Sequence, residues 1–186
     1  MAQQKQQQLS LIIAAVLIDS VGMDILNIND LKHELLEMFL QEQEGEKNIF
    51  SKLASSQTGN DRTVPKERIE YIMASSDHVM SVAVEGEKLV GMTVGQRVTG
   101  IANAYMYVQD LVVDPGARGG GVGTQLVEKI LSESKEKWPE VVRVQLTSRP
   151  SRGAGPFFQK LGFRPRTKEA DDETIVYVKD LDGYTS

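Results

Sequence analysis

Residues Asp110 to Val127 read Asp-Leu-Val-Val-Asp-Pro-Gly-Ala-Arg-Gly-Gly-Gly-Val-Gly-Thr-Gln-Leu-Val, and no other stretch limits the fold as strongly. Leu111-Val112-Val113 is a buried-strand run. Pro115 has no N–H to give a β-ladder, so the strand ends at Asp114-Pro115. Four glycines between Gly119 and Gly123 free the backbone. Periodic apolar residues then begin, with Val122, Leu126, Val127, Ile130 and Leu131 on one helical face. A strand, a tight loop and a helix in that order aim several N–H groups at one point. With the positive end of the helix behind them, they form an anion site suited to phosphate.

The rest of the chain supplies a sheet for this unit. Met1 to Gln8 is a polar, glutamine-rich lead expected to be disordered, and residues 9–186 are read as a single domain. Leu9 to Ile18 is continuously apolar but too short to span a bilayer. It has no small-residue cleavage site after it, so it reads as a buried strand or helix rather than a signal peptide. Met23 to Ile28 competes with it for the first strand. From Asp30 a helical stripe of Leu31, Leu35, Leu36, Phe39 and Leu40 follows, with Asn29 or Asp30 as its cap. Gln43 to Thr63 reads as a loop with one helical turn at most, of the kind that covers binding sites. Pro65 opens a short helix to about Ala74. Val79 to Glu85 and Lys88 to Gln96 form a hairpin, and Ala104 to Val113 is a third, antiparallel strand. After the glycine loop a helix runs to Trp138-Pro139, and Val141 to Leu146 is the next strand. The crossover places it parallel to the strand before the loop, where the two can splay. Thr147 to Gly153 leads into a short helix capped by Gly162. Phe163 to Arg166 and Thr174 to Leu181 close the chain as a hairpin around the acidic turn Glu169 to Glu173. The expected fold is α/β (α+β), with a mixed, mostly antiparallel central sheet of about seven strands flanked by helices.

Composition removes several functions. The net charge of −5 argues against general nucleic-acid binding. The absence of cysteine excludes thiolate chemistry and fits a reducing cytoplasm. His33 lies in a helical pattern and His78 in an expected turn, far apart, so no metal site is expected. No membrane association is expected either.

Spacing removes two glycine-loop motifs. A P-loop needs lysine after its last glycine, but Thr124-Gln125 follows Gly123. A dinucleotide fingerprint needs a third glycine or alanine where Thr124 or Leu126 stands. It also needs an acid about twenty residues on, near Arg143. What remains is Arg118-x-x-Gly121-x-Gly123 between a Val-Val-Asp-Pro strand end and an amphipathic helix. Downstream lies Ala154-Gly155-Pro156-Phe157-Phe158-Gln159-Lys160-Leu161-Gly162-Phe163.

Together these motifs resemble the GNAT superfamily of N-acetyltransferases, whose loop is Arg/Gln-x-x-Gly-x-Gly/Ala and whose second motif is Ala-x-x-Phe-Tyr-x-x-x-Gly-Phe. The resemblance is tight from Tyr105 to Phe163, looser from Asp30 to Gln96 and absent over the first twenty residues. It implies acetyl-CoA as cosubstrate, with its pyrophosphate on Arg118, Gly119, Gly120, Gly121, Val122, Gly123 and Thr124. Its pantetheine would lie along Leu111, Val112 and Val113, with Phe158 nearby, and an amine would attack directly. The family's strand glutamate corresponds to Gln109 and its tyrosine to Phe158, neither of which transfers a proton. Asp110 is therefore the candidate base, provided that a bulge turns it to the cavity. Tyr105 and Tyr107 are the candidate acids. Arg149 and Arg152 are expected to hold a CoA phosphate or an acidic acceptor. The acceptor is an amine on a small molecule or a protein, and a homodimer is left open. The rival reading is a catalytically weak acyl-CoA-binding or sensor module.

Overall fold

The computed structural model describes residues 22–41, 47–166 and 174–181. The Met1–Gln8 lead, the Leu9–Ile18 run and the acidic Glu169–Glu173 turn lie outside the described residues. The strands are β1 (Met23–Asn27), β2 (His78–Glu85), β3 (Lys88–Thr99), β4 (Ala104–Val113), β5 (Val141–Ser148), β6 (Arg164–Pro165) and β7 (Ile175–Asp180). The helices are α1 (His33–Leu40), α2 (Ile49–Thr58), α3 (Lys66–Ala74), α4 (Val122–Lys137) and α5 (Gly155–Lys160). One sheet runs in the order β1-β2-β3-β4-β5-β7-β6. Every pairing is antiparallel except that of β4 with β5, as the strand-loop-helix crossover requires.

Both faces of the sheet are covered, so its central strands are buried on both sides. On β2, Met80, Val82 and Val84 pack with Leu35, Phe39, Phe50 and Ile69 of the first three helices. The intervening Val79 and Ala83 face the other layer, where α4 contributes Val122, Leu126, Val127 and Ile130. Two glycines of β3 let α4 lie close against the sheet. A Cβ at Gly91 would sit 2.9 Å from Leu126 Cδ1 and 3.2 Å from the Val112 carbonyl oxygen, and one at Gly95 would sit 2.6 Å from the Met106 sulfur.

Three local expectations need correction. The Gln43–Thr63 segment is not a loop with one turn at most, because Ile49–Thr58 is a ten-residue helix. Asn48 caps it by accepting from the Ser51 N–H at 2.9 Å, and Gly59 ends it in the left-handed region at φ 68°. Phe50 anchors it, edge-on to Phe39 at 6.3 Å. The cap expected at Asn29 or Asp30 is also displaced. Asn27 caps a 3-10 turn at Ile28–Asp30, and α1 begins only at His33. His78 opens β2 rather than occupying a turn.

His78 belongs to a cluster that fixes the C-terminal end of α4. It shares a hydrogen bond with Ser75 Oγ at 2.8 Å, and its carbonyl accepts from Lys137 Nζ at 2.7 Å. Trp138 Nε1 donates to the Ser76 carbonyl at 2.9 Å. Arg97 joins Asp77 at 2.6 Å and Glu140 at 2.7 Å. Burial holds the His78 imidazole below the usual histidine range; Asp77 opposes that shift and Lys137 adds to it.

Two outcomes test this packing. Gly91→Val places γ-carbons where Leu126 already sits, and a loss of about 1–3 kcal/mol is expected in urea unfolding, although valine favours strands. For His78, the unfolded chain binds the proton first as pH falls. The stability supplied by the neutral ring is present above about pH 6.5 and is lost as pH drops through the lower folded value. Two carboxylates act only in more acid solution: Glu140, held low by its own backbone N–H and by Arg97, and Asp180, held low by Arg143 and Arg164. Unfolding free energies measured between about pH 7 and about pH 5 should therefore decline less in His78→Asn than in the parent chain. Parallel profiles would remove His78 as the cause.

Candidate functional site

The site begins with an extra residue in β4. Residues on β3 and β4 pair as Val94 with Asp110 and Gly95 with Val108, so Gln109 bulges out between them. The alternation of faces changes there. Before the bulge, Met106 and Val108 pack in the α4 layer; after it, Leu111 and Val113 do, while Val112 turns to the layer of the first three helices. Asp110 turns with Val112. The buried Thr93 hydroxyl donates to the Asp110 carbonyl at 2.9 Å, supporting the backbone where the ladder is interrupted.

Pairing between β4 and β5 ends at Val108 and Leu146, one residue before the bulge. β5 continues along β7 through Thr147 and Ser148. The two parallel strands therefore part, as expected, and the gap opens into a cleft of about 810 Å³. Leu111, Val112 and Val113 line one side, and Ala154 and Phe157 line the other.

The glycine loop closes the end of this cleft. Asp114 Oδ1 accepts from the Gly116 N–H at 2.8 Å, which starts a 3-10 turn over Pro115–Ala117. Arg118 Nε donates to the Val113 carbonyl at 3.1 Å, hooking the loop to the strand end. Gly119 and Gly121 have φ of 83° and 85°, a left-handed backbone that side chains rarely adopt. The first intrahelical bond of α4 runs from Gln125 N to the Gly121 carbonyl at 3.1 Å. The N–H groups of Val122, Gly123 and Thr124 precede it and have no acceptor within the helix. Gly121 has no side chain to cap them, so these donors face the cleft. The charged residues lining the cleft are Arg118, Arg152 and Lys160, all cationic. Helix end and cations together favour an anion such as a pyrophosphate.

Two further cavities, of about 430 and about 320 Å³, lie beyond the bulge and share Arg62, Gln109 and Asp110. The larger is also lined by Thr147, Ser148, Arg149 and Arg152. It meets the cleft at Leu111, Arg152, Ala154 and Phe157. The smaller has an apolar floor that includes Ile69, Ile72, Met80 and Met92. Gln109 Nε2 donates to Gln96 Oε1 at 2.7 Å.

The structure thus brings together most of the residues singled out in the sequence. Leu111, Val112, Val113, Arg118, Gly119, Gly121, Val122, Gly123 and Thr124 line the cleft; Gly120 stands outside its lining. Phe158 is 8% exposed, packs on Phe163 and Tyr177, and reaches the larger of the two further cavities. The ring that lines the cleft is Phe157, whose Cζ would lie 3.3 Å from a Cβ at Gly123. Neither Tyr105 nor Tyr107 lines the cavities that hold Asp110, and the Tyr107 hydroxyl bonds Thr147 Oγ1 at 2.8 Å. Phe157 stands at the fixed phenylalanine of the second motif, whereas Arg62 and Lys160 carried no signal by spacing. Arg62 is distant in sequence, and the faces of α5 follow from its start at Gly155.

Comparison with known proteins agrees with this geometry. Residues 34–179 match the family model of the acetyltransferase (GNAT) domain. The fold is similar to Arabidopsis thaliana NAA60 in complex with a bisubstrate analogue, at TM-score 0.64 and 14% identity over 88% of this chain and 100% of that one. It is similar to Escherichia coli ElaA at TM-score 0.58 and 20% identity, over 86% and 99% of the two chains. A GNAT-family acetyltransferase from Staphylococcus aureus Mu50 aligns at TM-score 0.61 and 17% identity, over 87% and 100%.

The loop geometry sets an expected outcome. Gly121→Ala forces a Cβ into the left-handed region at a cost of about 1–2 kcal/mol, and relief of that strain turns the amides of Val122 to Thr124. Calorimetric titration with CoA should then show affinity reduced by more than about tenfold, as loss of charge-assisted bonds to phosphate implies. Unchanged affinity would mean that the loop amides do not hold the ligand.

Proposed function

The chain belongs to the GNAT acetyltransferases, a family of acyltransferase enzymes that generally use acetyl-CoA, and from that premise we propose that it transfers the acetyl group directly to a primary amine with Asp110 as the base. The observation that carries this reading is the junction of cleft and cavity. The bulge at Gln109 turns Asp110 into the larger acceptor-side cavity, and Leu111, the next residue, lines both that cavity and the cleft.

The residues present fit the cosubstrate. The amides of Val122 to Thr124, with Arg118, Arg152 and Lys160, are the groups to hold its phosphates. Leu111 to Val113 would accompany its pantetheine arm, and their backbone would supply an N–H toward the carbonyl oxygen as charge develops there. Bound acetyl-CoA supplies an activated thioester. Asp110 accepts a proton from the ammonium of the acceptor, giving the neutral amine that attack requires. The new N–C bond forms as the C–S bond breaks, the electron pair leaves on sulfur, and the extra proton on the acylated nitrogen passes to the thiolate. A thiol with pKa near 8.5 is a fair leaving group, so no dedicated acid is required. Of the two candidate tyrosines, Tyr107 is the nearer, its hydroxyl bonded to Thr147 of the cavity wall; Tyr105 lies two residues farther from the bulge. Gln109 cannot take a proton. The bulge offers both Gln109 and Asp110 to the cavity, so the carboxylate can act from one position later in the strand than the family's glutamate.

Asp110→Asn keeps the shape and removes the base. Turnover followed by free-thiol release should fall by more than about tenfold with little change in acetyl-CoA affinity. Undiminished turnover would end the assignment of Asp110. Saturable acetyl-CoA binding by the parent chain with no thiol release on any amine would instead favour a binding module.

A further inference from the structure

The side of the site that faces the acceptor carries an unusual balance of charge. Arg62, Arg149 and Arg152 line the larger cavity, and Asp110 is its one carboxylate among the described residues. Three arginines elsewhere are neutralised: Arg97 by Asp77 and Glu140, and Arg143 and Arg164 by Asp180. Among the described residues, the Arg62 and Arg149 guanidinium groups have no hydrogen-bond or ion-pair partner, and neither does the Asp110 carboxylate. Arg62 is nevertheless held in place by its backbone. Its N–H donates to Ser55 Oγ at 2.9 Å, and its carbonyl accepts from Lys47 Nζ at 3.0 Å. Arg62 and Asp110 both also border the smaller cavity, whose floor is the apolar group Ile69, Ile72, Met80 and Met92.

Three chemistries therefore meet across two cavities that share Arg62, Gln109 and Asp110: a carboxylate, guanidinium groups with unused donors, and an apolar recess. A polycationic amine would bring positive charge against Arg62 and Arg149, with Asp110 the one carboxylate among the described residues to offset it. We infer that the acceptor is a small zwitterion, an amine whose carbon carries both an anionic carboxylate and a sizeable apolar side chain, as in a free apolar α-amino acid. This inference rests on the amine-acetylation reading above. The ammonium end faces Asp110, the carboxylate takes the Arg62 and Arg149 donors, and the side chain enters the recess. Guanidinium groups suit a carboxylate because they present paired donors in one plane. The recess sets the preference for side-chain size, since each buried methylene adds discrimination.

The test measures free-thiol release from acetyl-CoA with a panel of amines. L-leucine, L-methionine and L-phenylalanine carry all three features. Leucinamide and isoamylamine lack the carboxylate, glycine lacks the side chain, and spermidine is a polycation. Leucine, methionine or phenylalanine is expected to exceed glycine and leucinamide in kcat/KM by at least about tenfold. In the double variant carrying Arg62→Gln and Arg149→Gln the ratio of leucine to leucinamide should collapse, through KM for leucine. Using this ratio cancels the different basicity of the two amines, and circular dichroism confirms that the variants fold. Use of leucinamide, isoamylamine or spermidine as well as leucine would overturn the inference, as would an unchanged ratio in the double variant. Acetylation of a capped peptide in preference to all three free amino acids would overturn it too. In each of those outcomes amine acetylation itself stands. Acetyl-CoA binding with no thiol release from any amine would overturn both readings together.

Discussion

The site depends on one unpaired residue. With Gln109 bulged out of the ladder, β4 changes faces between Val108 and Asp110, and that change sets where every later side chain of the strand points. An unbroken alternation would put Asp110 on the face of Met106 and Val108, under α4. Leu111 and Val113 would then face the other layer, away from Val122 and Leu126. The bulge exchanges these roles. It also coincides with the end of pairing to β5, because a bulged strand bends and its neighbour cannot follow. Opening the cleft and exposing a carboxylate are thus two results of a single backbone irregularity. The Thr93 hydroxyl, fully buried, offsets part of the lost ladder by bonding the Asp110 carbonyl.

The anion-binding end of the cleft depends in turn on how closely α4 lies on the sheet. Gly91 and Gly95 remove the side chains that would lift it, so the helix N-terminus meets the end of β4 with only a short loop between them. The helix is held along its length as well. Glu133, nearly buried, accepts from Asn27 Nδ2 at 2.8 Å and Ser81 Oγ at 3.1 Å, while Lys129 Nζ approaches its other oxygen at 3.3 Å. That contact ties α4 to β1 and β2. At its far end Lys137 donates to the carbonyls of Ser75 and His78, and Trp138 donates to that of Ser76. Fixing both ends matters because amides aimed at a phosphate act at short range, and a loose helix would lose their alignment.

These constraints were unequally legible in the sequence. The strand, loop and helix from Leu111 to Ile130 could be read because each signal there is local: an apolar run, Pro115, glycines and a helical stripe. The parallel relation of β4 and β5 follows from the crossover rule and needs no contact information. The Ile49–Thr58 helix was hidden by its composition. Its buried apolar residues among those described are Phe50, Leu53 and Ala54, with Ile49 partly buried, in a sequence otherwise of serine, lysine, glutamine and threonine. Its boundaries were nevertheless written in Asn48 and Gly59, a cap pair that outweighs weak periodicity. The bulge left a fainter trace, two adjacent polar residues at Gln109-Asp110 within an otherwise apolar strand. Alternation alone cannot say whether such a pair marks a bulge or a strand end. Arg62 left none. It reaches the site because Ser51, Ser55 and Lys47 fasten the chain after α2, and those contacts join residues 7 to 15 positions apart.

The charge arrangement bears on the chemistry as much as on recognition. The chain is net acidic, yet Arg118, Lys160, Arg152, Arg149 and Arg62 line the cleft and the cavity that joins it. Such a field draws in the polyanionic cosubstrate. On the proposed reading it also acts on the acceptor, because nearby guanidinium groups disfavour an ammonium and favour its neutral form. When the acceptor's own carboxylate binds those arginines, part of that effect is cancelled, and Asp110 then becomes necessary. A site of cations alone would bind the cosubstrate but repel a protonated amine. On the proposed reading Asp110, placed by the bulge at the junction of cleft and cavity, admits the amine and then takes its proton.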